Sequence, residues 1–236
     1  MDVNVTLFGN SGFEIQAGGF RLLIDAFTNG YPGGTQLDPP PESVQNADLI
    51  LITHSHYDHF SPWKTAAAAR VSGAQVVGPK AVIDALAGEL PAGQLVEAEP
   101  PVAPAGQPAA AVELTSGPAK ITAFRTFHAR GHNSYLIDVE GVRLFHDGDN
   151  EDTRRLDLAR LGRNDALFLC PWKGSGWVEF IERLNPNRWF LMHLTDAELD
   201  DHEAGRFFAD ICDYVPLADR LVVLRPGQTH GFAVGG

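Results

Sequence analysis

Cysteine is scarce in this sequence, which holds two, Cys170 and Cys212, among 236 residues. Two thiols cannot supply the disulfide framework that stabilises many small secreted domains. Cys170 ends an apolar run and Cys212 lies in a segment of helical pattern, so we expect buried free thiols at both positions. Stability must therefore come from a core, and 44% hydrophobic residues at this length supply a sizeable one.

Long apolar runs and clustered basic residues are also missing. No stretch approaches the ~20 apolar residues that cross a bilayer, and Met1 to Asn4 shows no basic or apolar leader, so we expect no signal peptide and no membrane partner. Lys and Arg number 18 against 30 Asp and Glu, giving a net charge of −12, which disfavours a nucleic-acid partner. We expect a cytoplasmic protein with one domain over residues 1–236. Its expected partner is a small-molecule substrate, and these features are compatible with a homo-oligomer.

What the sequence does contain is a concentration of metal-binding residue types. Four of them occur within six residues: His54, His56, Asp58 and His59. They follow the short apolar run 49–52, which is typical of a buried strand, and they precede Ser61-Pro62, which is typical of a helix start. Imidazole nitrogen and carboxylate oxygen suit zinc, and also manganese or iron. Because one small ion cannot easily take all four, we expect two neighbouring ions, with the first two residues on one and the last two on the other.

Residues of the same types recur where later strands are predicted to end. His128 follows the alternating segment 121–127, and His193 follows the apolar run 188–192. Asp149 comes directly after a glycine, which permits a tight turn that brings the backbone close to a metal. Such recurrence fits two β-rich halves packed face to face with helices outside.

Two of these assignments have alternatives. His132 lies four residues beyond His128, and we prefer His128 because it directly ends the predicted strand. His132 then becomes a supporting or substrate-facing group and, with Asp58 and His230, a candidate for handling the leaving-group proton. Asp147 is an alternative to Asp149 as the carboxylate whose two oxygens bridge two cations.

The remaining patterns predict the flanking elements. Helical patterns cover residues 63–70, 79–87, 151–161 and 204–214, whereas residues 91–109, rich in Pro and Ala, predict a surface excursion.

Residues 54–59 resemble the H-x-H-x-D-H signature of the metallo-β-lactamase superfamily. A closer similarity, to the single-domain branch of ascorbate-6-phosphate lactonase-like proteins, rests on Gly9-Asn10-Ser11-Gly12-Phe13, Leu23-Ile24-Asp25, residues 47–54 and Gly148-Asp149. The resemblance implies an α+β fold, a four-layer αβ/βα sandwich with the metals at one edge. It also implies that Asp25 orients a ligand histidine.

The same resemblance implies a function and a ligand set. We expect a dinuclear metal-dependent hydrolase of a small ester, lactone or phosphoester, with a metal-bridging hydroxide as nucleophile. One ion would be held by His54, His56 and His128, the other by Asp58, His59 and His193, with Asp149 bridging. Arg130, Lys173 and Ser175 are candidates for contacting an anionic substrate group. A noncatalytic metal-binding or regulatory module is the alternative.

Overall fold

The computed structural model describes residues 1–235. The strands are β1 (Asp2–Gly9), β2 (Gly12–Ala17), β3 (Phe20–Ile24), β4 (Leu49–Leu51), β5 (Gln75–Gly78), β6 (Leu95–Glu97), β7 (Ala111–Ser116), β8 (Ala119–Arg125), β9 (Asn133–Val139), β10 (Val142–His146), β11 (Ala166–Leu169), β12 (Trp189–Leu191), β13 (Leu221–Val223) and β14 (Thr229–Ala233). The helices are α1 (Pro41–Gln45), α2 (Pro62–Ser72), α3 (Lys80–Leu86), α4 (Leu158–Leu161), α5 (Trp177–Leu184) and α6 (Asp196–Glu203). Short 3-10 turns cover Ala92–Gln94, Thr153–Arg155, Phe207–Asp210 and Ala218–Arg220.

The strands form two seven-stranded mixed sheets of similar design. The first has the order β14-β1-β2-β3-β4-β5-β6, and the second the order β13-β12-β11-β10-β9-β8-β7. In each sheet, antiparallel neighbours give way to parallel ones, from β3 to β6 in the first and from β10 to β13 in the second. The last strand, β14, returns to the first sheet beside β1.

Alternating burial explains why the two sheets pack face to face. Within β4, Leu49 and Leu51 belong to the core between the sheets, whereas Ile50 packs with the residues of α2 and α3. In the second sheet, Phe168 points to the central core, and Leu167 packs with α5. Because successive side chains of a strand point to opposite faces, a strand that is apolar on both faces requires cover on both. The result is the helix, sheet, sheet, helix sandwich expected from the resemblance.

The parallel strands place their carboxyl ends at one edge. β3 and β4 pair in register Ile24↔Leu51, and β11 and β12 pair Leu169↔Leu191. The loops after β4 and β12 carry the residues 54–59 and His193, and the loops after β8 and β10 carry His128 and Asp149; all four loops meet at this edge. No helix within residues 1–235 is long and apolar enough to cross a membrane.

Two of the predicted helices are wrong. Residues 151–161 form a 3-10 turn and then the four-residue α4, because the Asp157 carboxylate accepts from the N–H groups of Ala159 and Arg160 and starts a new helix there. The helix predicted over 204–214 is a 3-10 turn. A helix forms earlier, as α6, because Thr195 and Glu198 make a reciprocal capping box at its start.

Helices predicted over residues 63–70 and 79–87 are confirmed by α2 and α3. The segment 91–109 is not wholly irregular, since β6 extends the first sheet at its edge.

Candidate metal centre

The seven side chains predicted as ligands lie together at the sheet edge. Their ligand atoms form three groups whose members lie within 4.8 Å of one another: His54, His56 and His128; His54, His59 and Asp149; and Asp58, His59 and His193. The first and third groups contain the same residues as the two ligand sets expected from the resemblance, and the middle group joins them.

Asp149 occupies the centre of this cluster. Its Oδ1 lies 3.2 Å from His59 Nε2, and its Oδ2 lies 3.2 Å from His193 Nε2 and 3.5 Å from His128 Nε2. Although burial opposes ionisation, the neighbouring His59 and His193 hold the pKa of Asp149 well below its usual range. An ionised carboxylate with both oxygens turned toward different histidines is the arrangement required of a bridge between two cations.

Two buried polar atoms of the cluster lack hydrogen-bond partners. These atoms are His54 Nε2 and Asp149 Oδ1. Burying such atoms without a partner is costly. Because both atoms face other nitrogen and oxygen ligand types, a bound cation satisfies them, and the residues present fit a divalent metal.

Asp25 holds His59 by a direct hydrogen bond and His54 through Thr53. Its Oδ1 accepts from the Thr53 N–H at 2.8 Å, and its Oδ2 accepts from Thr53 Oγ1 at 2.6 Å and from His59 Nδ1 at 2.8 Å. Thr53 Oγ1 in turn accepts from His54 Nδ1 at 3.0 Å. Both imidazoles therefore carry their proton on Nδ1, which leaves Nε2 free to face the centre of the cluster.

Two further buried histidines hold the backbone that carries Asp149. The Asp149 N–H donates to His132 Nε2 at 2.9 Å, and the Gly148 N–H donates to His146 Nδ1 at 3.2 Å. Each ring donates its other N–H, His132 to Thr126 Oγ1 and His146 to the carbonyl of Ser11. Burial lowers the pKa of His132 well below its usual value and that of His146 to about 4, so both rings are neutral acceptors.

This arrangement favours the supporting role considered for His132 over the catalytic one. The ring is fully buried and both of its nitrogens make hydrogen bonds within the protein. Gly148 has a φ of +58°, and a Cβ there would lie 2.6 Å from His132 Nε2, which explains why glycine precedes Asp149.

Comparison with known proteins agrees with this geometry. The family model of the beta-lactamase superfamily domain matches residues 20–197. The chain belongs to the metallo-β-lactamase superfamily. A UPF0173 metal-dependent hydrolase of Thermococcus onnurineus is 28% identical over 247 residues, covering 96% of this chain and 98% of that protein.

Solved structures show the same superfamily fold. Igni18, a metallo hydrolase from Ignicoccus hospitalis, has a TM-score of 0.69 at 17% identity and covers 100% of both chains. YhfI from Bacillus subtilis, a metallo-β-lactamase fold protein, has a TM-score of 0.66 at 17% identity and covers 98% of this chain and 100% of its own. The family match and the full-length UPF0173 relatives make the chain a metal-dependent hydrolase of this superfamily, and these structures show its fold.

His193 of this superfamily site lies between two aromatic residues. The Tyr31 ring packs edge-on against it at 4.7 Å between centroids, and the Trp172 ring lies at 5.6 Å. His193 has a φ of +65°, and its N–H donates to the carbonyl of Asn10 at 3.0 Å. Burial opposes protonation of His193, but hydrogen bonds to Asp149 and Asp58 raise its pKa to about 9. A non-glycine residue in this backbone region is strained, and such strain concentrates at functional sites.

Asp147, the alternative bridge, is turned away from the cluster. Its Oδ1 accepts from Ser134 Oγ at 2.9 Å and from Asn150 Nδ2 at 3.0 Å, and it belongs to none of the three ligand groups. Burial raises the pKa of Asp147 to about 7.

The remaining sequence candidates lie around the cluster or away from it. His230 is on β14, where it pairs with Val5 and packs against Phe190. Ser175 is buried, whereas Lys173 and Arg130 are exposed. Cys170 is a buried free thiol as expected, but Cys212 is half-buried.

Several supporting residues were not recognised from the sequence. Thr53, His146, Asn10 and Trp172 all contact the cluster or the residues that hold it. Their positions next to predicted strand ends, Thr53 before His54 and His146 before Asp147, were the available signal.

Proposed function

We propose that this chain is a dinuclear hydrolase that cleaves a small ester, lactone or phosphoester. The observation that carries the proposal is the central position of Asp149, whose two oxygens face the histidines of both outer ligand groups. A single-ion site would need neither the second group nor a carboxylate shared between the two. Zinc suits this mixture of imidazole and carboxylate donors, and manganese or iron is also compatible with it.

The residues divide into holding, bridging and proton-handling roles. His54, His56 and His128 would hold one ion, and Asp58, His59 and His193 the other. Two divalent ions here would lower the pKa of a bound water to supply the nucleophile and would polarise the substrate oxygen.

Asp58 is the proposed proton carrier for the leaving group. Its Oδ2 faces His59 Nε2 and His193 Nε2, each at 3.7 Å, and its side chain keeps slight contact with solvent. Of the other carboxylates that contact the ligand histidines, Asp25 is fully buried, Asp149 lies at the centre of the cluster, and Glu151 accepts from the outer nitrogen of His128. A carboxylate at the open side of the cluster can accept the proton released by the attacking water and pass it to the departing oxygen.

The test combines metal analysis with a substrate panel. Protein purified without added metal should contain about two divalent ions per chain after loading, and it should hydrolyse at least one member of a panel of esters, lactones and phosphoesters. A stoichiometry of one ion would remove the dinuclear part of the proposal. Two ions without hydrolysis across the panel would favour the noncatalytic metal-binding module instead.

A further inference from the structure

A small cleft adjoins the metal centre and shares His128 with it. Its volume is about 210 Å³, and its walls come from residues 102–103, the segment 125–130 and Arg155. Three arginines line it: Arg125, Arg130 and Arg155. Pockets that enclose a whole drug-sized ligand are about 300 Å³ or larger, so this cleft suits one substituent of a substrate.

The positive charge of this cleft is only partly neutralised. Arg125 pairs with Glu99 at 2.9 Å, but Arg130 and Arg155 make no ion pair within residues 1–235. Arg155 donates through Nη2 to three backbone carbonyls at 3.3 to 3.4 Å, which are long hydrogen bonds. In a chain of net charge −12, two unpaired guanidinium groups in one cleft are a local reversal of charge.

The acidic groups nearest to the cleft are already engaged. Glu99 accepts from Arg125 and from the N–H of Lys80 at 2.7 Å. Glu151 accepts from His128 Nδ1 at 2.8 Å. These two carboxylates offset part of the positive charge. Although burial opposes ionisation of Glu99, Arg125 and the more distant Arg130 both help to lower its pKa, so Glu99 partly offsets Arg130 without a direct ion pair. Neither carboxylate forms an ion pair with Arg130 or Arg155.

We propose that this cleft is a subsite for an anionic oxygen-bearing group of the substrate, a carboxylate or a phosphate. The planar guanidinium group of Arg130 can present two parallel N–H donors to such a group. Arg155 Nη2 already donates to backbone carbonyls, so Arg155 would add single N–H donors from Nε and Nη1. Since His128 borders both the cleft and the ligand cluster, a substrate anchored here would place its neighbouring bond at the metal centre. Phe127 and Val102, which are 57% and 75% exposed, offer apolar contact to the linking atoms. The substrate class rests on the proposed hydrolase function, whereas the anion site itself does not.

The test measures anion binding to metal-free protein, so that it is independent of catalysis. After chelation, inorganic phosphate and acetate are each titrated into the wild type and into the Arg130→Gln/Arg155→Gln double variant by calorimetry. We expect phosphate or acetate to bind the wild type, and each lost guanidinium to weaken that binding about tenfold, as for loss of one charged contact. The anion that binds more tightly indicates whether the group is a phosphate or a carboxylate.

Arg154→Gln is the matched control, because it removes the same charge one position away. Arg154 is exposed, pairs with Asp152 at 2.6 Å and does not line the cleft. Unchanged anion binding in the double variant, equal weakening in Arg154→Gln, or no binding of either anion to the wild type would overturn the subsite. Thermal melting shows whether each variant is folded, and the single variants replace the double one if it is not.

A second measurement separates the subsite from the proposed hydrolase function. If a hydrolysed substrate bearing a carboxylate is found, the double variant should raise its KM about 100-fold while leaving the KM of the corresponding methyl ester unchanged. Anion binding without any hydrolysis would overturn the proposed function alone. If the ratio of the KM of the carboxylate substrate to the KM of its methyl ester is the same in wild type and double variant, the subsite alone is overturned.

Discussion

Replacing Asp25 with asparagine tests how the buried ligand histidines are held. The carboxylate accepts three hydrogen bonds, from the Thr53 N–H, from Thr53 Oγ1 and from His59 Nδ1. An amide of the same size has one accepting oxygen and one donating nitrogen. If the amide oxygen still accepts from the Thr53 N–H, the NH2 group faces Thr53 Oγ1 and His59 Nδ1, both of which donated to the carboxylate. His59 must then carry its proton on Nε2, which is the nitrogen that faces Asp149.

This change affects both stability and metal binding. Two hydrogen bonds to a charged acceptor are lost or reversed, and at ~1.5 kcal/mol each the free energy of unfolding of the metal-free protein should fall by about 3 kcal/mol. Because His59 is held in the wrong tautomer, we expect metal affinity to fall about 10- to 100-fold. Urea unfolding measures the first effect, and competition with a chelating dye measures the second.

Asp48→Asn is the control for this experiment. Asp48 is exposed, and its Oδ2 accepts a single N–H, from Arg21. It should change stability by less than about 1 kcal/mol and leave metal affinity unaltered. Wild-type metal affinity in Asp25→Asn would refute the argument that Asp25 sets the tautomer of His59.

Four further substitutions, with His230→Ala as a control, test the assignment of the cluster. His56→Ala should lower the metal content measured by elemental analysis, whereas His230→Ala, on the distant β14, should leave it at the wild-type value; full occupancy in His56→Ala would contradict the ligand set. Asp149→Asn should reduce turnover more than about 100-fold with the fold intact by circular dichroism, since a bridging ligand should matter more than an outer partner. His132→Ala should retain metal but slow turnover, because the Asp149 N–H loses its acceptor at a cost of about 1–3 kcal/mol. His128→Ala should lose metal, and the opposite outcome for this pair would exchange their roles.

Local sequence determined much of the fold and of the candidate ligand set. The run 49–52 is apolar at every position, so it predicts a strand covered on both faces, as β4 is. The first ligand residues follow this run after Thr53. His128, Asp149 and His193 follow later predicted strands, and the order of motifs in the superfamily that the sequence resembles selected them as ligands. These inferences needed residue type, short-range pattern, chain order and that resemblance.

The two wrong helix predictions overlooked capping residues that start helices elsewhere. Asp157 and Thr195 each start a helix by accepting from a backbone N–H, and neither position was recognised as a helix start. The apolar spacing of residues 204–214 instead suggested a helix where the chain forms a 3-10 turn. A single cap can thus shift a helix by a whole turn or more, because it competes with an amphipathic pattern of similar strength.

Only the tertiary structure decided what each histidine of the site does. His128 and His132 are of the same residue type and lie four positions apart, yet one ring faces Asp149 Oδ2 and the other accepts the Asp149 N–H. The pairing of Asp25 with Thr53 and His59 likewise joins β3 to the loop after β4. Ring orientation and tautomer depend on partners that are distant in sequence, and these partners become neighbours only when the sheets pack together. Sequence therefore determined which residues gather at this edge, and packing determined which of them face the cluster.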